Sequence, residues 1–158
     1  ADALAAGPVT GGWAPVLLVK NDSIPAATAV ELTRLRPDRI VILGGVAAIG
    51  PIVAAAAGNY TDGEVTRVGG ANRYETAAQL SASHFAPDVD EVYLATGANY
   101  ADALAAAPLG TPILLVQQDC IPRSTFTELA RLSAGSIVVL GGSNAVSDRV
   151  RRLIACSS

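Results

Sequence analysis

Short turns rich in glycine and asparagine are the part of this sequence best suited to binding a ligand. They read GGANRY at 69–74, TGANYAD at 96–102 and GGSNAVSD at 141–148, with a weaker copy, GGVAAIG, at 44–50. Each follows an apolar run, and three of them place Asn close to the start of a helical pattern. Glycine permits a tight turn and asparagine caps a helix, so a purely structural explanation also fits each turn.

The same turns favour an anionic ligand if they lie together. In an open parallel sheet, the turns that follow the strands line one edge, which is where ligands usually bind. Helix N-termini at that edge present N–H groups and the positive end of the helix dipole. Arg67 and Arg73 add charge, and Tyr74 offers either a stacking face for a sugar or a packing contact. A row of similar turns suits an extended, repeating anion better than one small molecule.

Several other kinds of site are not supported by the residues. GGANRY lacks the glycine spacing of a dinucleotide-binding turn, and the next strand ends LATG without an acidic residue for ribose. No GK[ST] sequence follows a glycine-rich loop, and the single histidine, His84, has no credible nucleophile and acid partner. One histidine and two cysteines at this spacing do not make a zinc site. We therefore expect no catalytic residues, no metal and no cofactor.

Composition indicates a folded domain with an aliphatic core. The chain has 158 residues, of which 51% are hydrophobic, 16% charged and only 4% aromatic. A formal net charge of −3 and a pI near 5.0 argue against nucleic acid or an anionic membrane as the main partner. No apolar run is long enough to span a membrane.

The pattern of apolar runs predicts an α/β fold. Short, mostly β-branched runs alternate with helical patterns, as expected for a parallel sheet that helices cover on both faces. The helix from Asn72 begins with Glu75 three residues on, which resembles a capping box. The predicted strands are 16–19, 40–43, 65–68, 92–95, 113–116 and 137–140.

An internal repeat organises the chain. Residues 1–10 align with 101–110, and residues 14–54 align with 111–151, with about half of the aligned pairs identical. Residues 65–100 have no counterpart. One complete unit therefore begins at 65 and ends near 154, within a region 65–158, while residues 1–58 are the second half of another unit. We expect this partial unit to find its missing strands on the complete unit or on another chain.

The two cysteines leave two alternatives open. Cys120 precedes one predicted helix and Cys156 follows the last one. A disulfide between them would suit an exported protein, whereas two buried thiols are equally compatible with the sequence.

Four motifs occur in an order that resembles the cell wall-binding repeat 2 family of bacterial surface and secreted proteins. They are RVGGANRYETAAQLS, YLATGANYADALAA, TPILLV and IVVLGGSNAVSD. The resemblance implies small Rossmann- or Toprim-like modules, often three in tandem, that can pack around a pseudo-threefold axis. It also implies non-covalent anchoring to an anionic wall polymer, such as a secondary polysaccharide or a teichoic acid, with no enzymatic activity in the repeat.

The resemblance also implies candidate site residues. The family's PILL tetrapeptide is associated with polymer attachment, and it matches Pro112, Ile113, Leu114 and Leu115, with Pro15, Val16, Leu17 and Leu18 as the earlier copy. From the residues themselves, Ile113, Leu114 and Leu115 read as a buried strand that positions a site, with Pro112 exposed at its entrance. The full candidate set adds Arg67, Arg73, Tyr74, Asn99 and Tyr100.

The sequence thus predicts a non-catalytic, secreted module that binds an anionic polysaccharide of the bacterial wall. The alternative is a structural or oligomerisation module that packs with neighbouring repeats or other chains without touching polymer. Alanine-rich stretches such as ADALAAA and VAAAA favour that alternative, because surfaces of small residues pack closely.

Overall fold

A computed structural model describes residues 6–7, 14–99 and 110–157. These residues form an alternating α/β structure, as the apolar pattern predicts. Its main elements, in chain order, are α1 (Ala26–Leu35), β1 (Arg39–Leu43), α2 (Pro51–Ala57), β2 (Glu64–Val68), α3 (Arg73–His84), β3 (Glu91–Thr96), β4 (Ile113–Val116), α4 (Arg123–Leu132), β5 (Ser136–Val139) and α5 (Asp148–Arg151). A short 3₁₀ turn, Gly58–Tyr60, follows α2.

The described strands form two small parallel sheets. One has three strands in the order β4–β3–β5, and the other pairs β1 with β2. The strand β2 opens the complete unit in sequence, yet in the structure it pairs with β1 of the partial unit. The border between the sheets therefore does not coincide with the border between the repeats.

Five of the six predicted strands are confirmed, and the prediction for residues 16–19 is wrong. This segment has no assigned secondary structure, and Leu18 is 74% exposed. Its aligned counterpart is β4, which pairs with the central strand β3. The partial unit has no equivalent of β3 within the described residues, so the segment lacks the backbone partner that a strand requires.

The core lies on both faces of the three-stranded sheet. Ile113 and Leu115 point towards α3 and pack with Ala77 and Leu80. Leu114 and Val116 point to the other face, in a cluster that also contains residues of α4 and α5. Successive side chains of a strand alternate between faces, so β4 is buried along its whole length only because both faces are covered.

A disulfide joins Cys120 to Cys156, which decides between the two alternatives that the sequence left open. It links the segment before α4 to the segment after α5. Backbone hydrogen bonds between Ile121 and the 154–156 segment lie beside it: Ile121 N–H donates to the Ile154 carbonyl at 2.9 Å, and Cys156 N–H donates to the Ile121 carbonyl at 2.9 Å. Within the described ranges, no helix combines the length and apolarity needed to cross a membrane.

Candidate functional site

Two glycine pairs bring the ends of β1 and β2 into close contact. A Cβ atom on Gly69 would lie 2.2 Å from the carbonyl carbon of Gly44, and one on Gly45 would lie 2.9 Å from the carbonyl oxygen of Gly70. Side chains are therefore excluded from this crossing, and the two turns pack through their backbones. Glycine is therefore required at these positions for the packing of the two turns, independently of any ligand.

Arg67 is held against the first of these turns. It lies on β2, is half-buried, and its Nη1 donates a hydrogen bond of 2.6 Å to the carbonyl oxygen of Gly44. One guanidinium has five N–H donors, so this contact orients the group and leaves donors for other acceptors.

Arg73 and Tyr74 connect the start of α3 to the end of β3. The Arg73 Nη1 donates to the carbonyl oxygen of Gly97. A Cβ on Gly97 would lie 2.6 Å from Cε1 of Tyr74, so the tyrosine ring occupies the space beside this glycine. Tyr74 also packs against the core cluster beneath α3. Tyr74 thus makes the packing contact that was one of its two predicted roles. Only the part of its side chain that stays exposed is accessible to a sugar.

The expectation of open amides at the start of α3 is wrong. The Asn72 side chain accepts hydrogen bonds from the N–H groups of Tyr74 and Glu75, both at 3.0 Å. Glu75 reaches back and accepts from Ala71 N–H at 2.8 Å, and Thr76 Oγ1 accepts from Gly70 N–H at 3.1 Å. The predicted capping box is confirmed, with Glu75 accepting from Ala71 N–H. Because side chains of the protein itself occupy these amides, the positive charge at the start of α3 comes from the arginines.

A cleft of about 240 Å³ lies where the turns meet. It is lined by the turns after β1 and β2 and by the start of α3, namely Gly45, Ala47, Ala48, Gly70, Ala71, Asn72 and Arg73. We call it the turn cleft. Asn99 is exposed two residues beyond Gly97, while Tyr100 lies outside the described residues.

The PILL residues are buried, and the expectation that Pro112 is exposed is wrong. Pro112 is buried, and Ile113, Leu114 and Leu115 are at most 2% exposed. The carbonyl of Pro112 accepts a hydrogen bond of 2.9 Å from Tyr93 N–H, so the proline already takes part in the β3–β4 pairing. In the described structure these residues position the sheet rather than offer surface to a polymer.

The earlier copy of PILL is in the opposite state. Pro15 is exposed, Val16 is 45% exposed and Leu18 is 74% exposed, while Leu17 is half-buried. The two copies therefore differ in accessibility although their sequences are nearly the same.

A second cleft, of about 350 Å³, lies at the predicted turn GGSNAVSD and includes arginines that follow it. It is lined by Asp119, Ser143, Ser147, Asp148, Arg149 and Arg152. The signal in the sequence was the RVRR run at 149–152, which aligns with IVAA at 52–55 in the partial unit. We call it the arginine cleft. Arg149 Nε donates to the Asp119 carbonyl at 3.2 Å, and Arg151 lies 3.6 Å from the carboxylate of Asp148.

No metal centre emerges among residues 6–7, 14–99 and 110–157, where no group of three or more His, Cys, Asp and Glu side chains is placed to hold an ion. His84 is exposed at the end of α3, with its ring edge against Phe85.

Comparison with known proteins assigns the chain to a family. The family profile described as cell wall binding domain 2 matches residues 1–54 and 67–151. The chain belongs to this cell wall binding domain family. Its two matched regions lie within the predicted units 1–58 and 65–158. The family is one of binding modules, so the chain is a non-catalytic wall-binding domain associated with the bacterial cell wall or surface.

The relatives of this cell wall binding domain are longer proteins. It is 32% identical over 152 residues to an amidase enhancer of Bacillus subtilis (strain 168), covering 92% of this chain and 20% of the relative. It is 36% identical over 97 residues to the N-acetylmuramoyl-L-alanine amidase LytC of the same organism, covering 59% of this chain and 19% of that protein. The chain thus spans about a fifth of each of these relatives.

Solved structures show the same fold. Cwp6 from Clostridium difficile superposes with a TM-score of 0.81 at 28% identity, over 97% of this chain and 26% of that one. Cwp8 from Clostridium difficile superposes with a TM-score of 0.73 at 26% identity, over 95% of this chain and 26% of that one.

Proposed function

We propose that this cell wall binding domain anchors a secreted protein by holding an anionic wall polymer in the turn cleft. The observation that carries the proposal is the convergence of Arg67 and Arg73 on neighbouring turns. Arg67 is fixed to the turn after β1, and Arg73 to the turn after β3. Arg73 lines the cleft itself, and Arg67 contacts the Gly44 carbonyl, directly before the cleft residue Gly45.

The chemistry of the two arginines suits phosphate or carboxylate groups. Each carbonyl accepts from Nη1 of one guanidinium, and the remaining in-plane N–H donors are available to bind an oxyanion through two hydrogen bonds. The carbonyl contacts also limit side-chain motion, so less conformational entropy is lost on binding. Asn99, Tyr100 and the exposed part of Tyr74 are the proposed contacts for the sugar or polyol portions.

The PILL segment has an indirect role in this proposal. Leu114 and Leu115 lie opposite Leu94 and Ala95 of β3, and β3 is followed directly by Gly97, whose carbonyl orients Arg73. In the partial unit, the exposed Val16 and Leu18 have no such strand to support, and we propose that they contact a neighbouring repeat or chain.

Two finer features of the family resemblance enter as proposals. We infer that each complete repeat forms a Rossmann- or Toprim-like module when neighbouring repeats are present. We also infer that such repeats pack around a pseudo-threefold axis. The alternative function, a packing or oligomerisation module without polymer contact, is favoured by the exposed apolar side chains of the partial unit, such as Val30 at 70% and Ile52 at 67%.

Isothermal titration calorimetry of the chain with purified poly(glycerol phosphate) teichoic acid tests the proposal. We expect binding that weakens as salt is raised, because exposed charges are screened. Replacing Arg67 and Arg73 by Gln should lower the affinity about tenfold or more, the loss expected when charge-assisted contacts to phosphate are removed. Replacing both by Lys, which retains the charge and a donor for the carbonyl, should retain more of the affinity.

Two controls separate the alternatives. Arg34→Gln removes an exposed arginine far from the turns in sequence and should leave binding unchanged. Arg149→Ile with Arg152→Ala replaces the two arginines of the arginine cleft by the residues at the corresponding positions of the partial unit, and a loss confined to this variant would move the site there. Absence of binding by the parent chain, together with a defined oligomer that polymer does not alter, would support the packing module instead.

A further inference from the structure

We propose that the outer edge of β5 is an acceptor for the opening strand of a further repeat of the same family, paired as β2 is paired with β1. This inference concerns how repeats join and is independent of polymer binding. It rests on the alignment of β1 with residues 136–140, and on backbone hydrogen bonds that identify which edge of each strand is in use.

The two aligned strands use opposite edges. In β1 the following residue, Gly44, donates its N–H to Val68 of β2 at 2.8 Å. In the complete unit it is Leu140, aligned with Leu43, that donates to Leu94 of β3 at 2.8 Å. Neighbouring residues of a strand direct their N–H groups to opposite edges. The edge of β1 that holds β2 therefore corresponds to the edge of β5 that faces away from β3.

That outer edge has no strand neighbour within the described residues, where β5 pairs with β3 alone. The two residues whose amides face this edge are more exposed than their counterparts in β1. Val139 is half-buried where Ile42 is 7% exposed, and Ile137 is 38% exposed where Ile40 is half-buried. Val138, whose amide faces β3, shows the opposite, since it is half-buried where Val41 is 39% exposed. Exposure confined to Ile137 and Val139 is what removal of a β2-like strand from the edge would produce.

The edge carries none of the features that prevent strand addition. Edge strands are normally protected by lysine, proline, a bulge or an inward-pointing charge. Residues 136–140 read SIVVL and contain no charge and no proline. An unprotected apolar edge of this kind is suited to main-chain pairing with another strand.

The occupant is a strand from an additional repeat rather than a second copy of this chain. Within each copy, β2 is already paired with β1 over five residues, from Arg39 opposite Glu64 to Leu43 opposite Val68. A second copy therefore has no spare strand of this type. An additional repeat that opens with a sequence like EVTRV, followed by a glycine turn, would supply one.

Amide hydrogen exchange, resolved by residue with NMR, tests the acceptor edge. In the chain itself, the amides of Ile137 and Val139 face the outer edge and should exchange rapidly. Those of Val138 and Leu140 face β3 and should be protected. The aligned amides of β1, Ile40 and Ile42, face β2 and should be protected as well, which gives an internal reference.

The decisive step is to supply the strand. Residues 62–70, DGEVTRVGG, are appended after Ser158, which reproduces the 97-residue spacing between the aligned segments. We expect exchange at Ile137 and Val139 to slow by about tenfold or more, as for amides that enter a sheet. The control carries Pro in place of the appended Thr, because proline removes a ladder donor. It should leave both amides fast.

Three results would overturn the proposal. The first is protection of Ile137 and Val139 in the original chain, which would show that the edge is already covered. The second is no slowing in the extended chain while the amides of Val138 and Leu140 show that β5 is folded. The third is equal slowing by the proline control, which would indicate a contact that does not use the strand ladder.

Discussion

Residues 14–54 and 111–151 share local hydrogen bonds at a spacing of 97 residues, yet residues 16–19 are largely exposed and their counterparts 113–116 are buried. Thr28 donates to the Leu18 carbonyl at 2.8 Å, and its counterpart Thr125 donates to the Leu115 carbonyl at 2.7 Å. Sequence-local contacts are therefore sufficient to form the loop and helix of the repeat. They are not sufficient to form its first strand, which is present as β4 but absent from residues 16–19.

The same comparison holds for an ion pair. Arg34 and Glu31 lie 2.6 Å apart on α1, with side chains 66% and 35% exposed. Arg131 and Glu128 also lie 2.6 Å apart on α4, but their side chains are 32% and 5% exposed. In the complete unit, Ser81 of α3 donates to Glu128 at 2.6 Å, and Arg131 also donates to the Phe85 carbonyl at 2.9 Å. The segment 65–100 thus converts a surface pair into a buried network.

The largest expected effect concerns the paired leucines. Leu115→Ala removes a fully buried side chain and should lower the free energy of unfolding by about 2–5 kcal/mol. Its counterpart Leu18→Ala alters a side chain that is 74% exposed and should cost less than about 1 kcal/mol. Urea unfolding of both variants measures the difference. Equal losses would show that residues 16–19 are buried in solution, against the comparison.

The disulfide is a second difference between the copies, because Ser23 stands where the complete unit has Cys120. Cys120→Ser should destabilise the chain by about 2–4 kcal/mol, since the bridge closes a loop with a sequence separation of 36. Ser23→Ala is the matched control and should change little. Thermal unfolding with and without a reductant measures both, and insensitivity of the parent chain to reduction would contradict this expectation.

Glu128→Gln tests the buried network. Glutamine retains one oxygen that can accept from Ser81 and from Arg131 Nη2, but it loses the negative charge and has an NH₂ group where Oε2 accepts from Arg131 Nε, so we expect a loss of about 2 kcal/mol in unfolding free energy. Glu31→Gln should change the free energy of unfolding far less, as is usual for exposed pairs. Chemical denaturation in parallel provides the comparison, and a double variant, Glu128→Gln with Ser81→Ala, shows whether the two residues are coupled.

The smallest effect is a pH dependence in the partial unit. A hydrogen bond from Arg34 lowers the pKa of the Glu31 carboxyl below its ordinary value of 4.5. The contribution of this pair is present above the ordinary pKa and is lost as the pH falls through the lowered one. Parent and Glu31→Gln should therefore converge in stability in acid. A difference that grows on acidification would have the wrong sign.

Much of the fold follows from the sequence because its determinants are local. Apolar runs predict five of the strands, and the Asn72 and Glu75 cap predicts the start of α3. The strand at 16–19 is not predictable from its own residues, since LLV occurs in both copies and only a pairing partner distinguishes them. The burial of Pro112 has the same origin, because its carbonyl is paired with Tyr93.

The candidate site is predictable in its residue types but not in their contacts. Gly, Asn and Arg in the turns indicate an anion site, yet the sequence does not show that Asn72 and Glu75 occupy the amides at the start of α3. It also does not show that Arg67 and Arg73 are anchored on carbonyls of other turns, since these partners are 23 and 24 residues away. The arginine cleft is predictable only in part, because the GGSNAVSD turn lines it but its cations come from the RVRR run, which is basic in one copy of the repeat only.

Co-sedimentation of the chain with purified bacterial walls, before and after the anionic polymer is stripped from the peptidoglycan, tests the central claim most directly. The account predicts that the chain pellets with intact walls, that stripped walls retain little of it, and that adding the released polymer competes it from intact walls. Equal binding to intact and stripped walls would contradict the account and place recognition on the peptidoglycan itself.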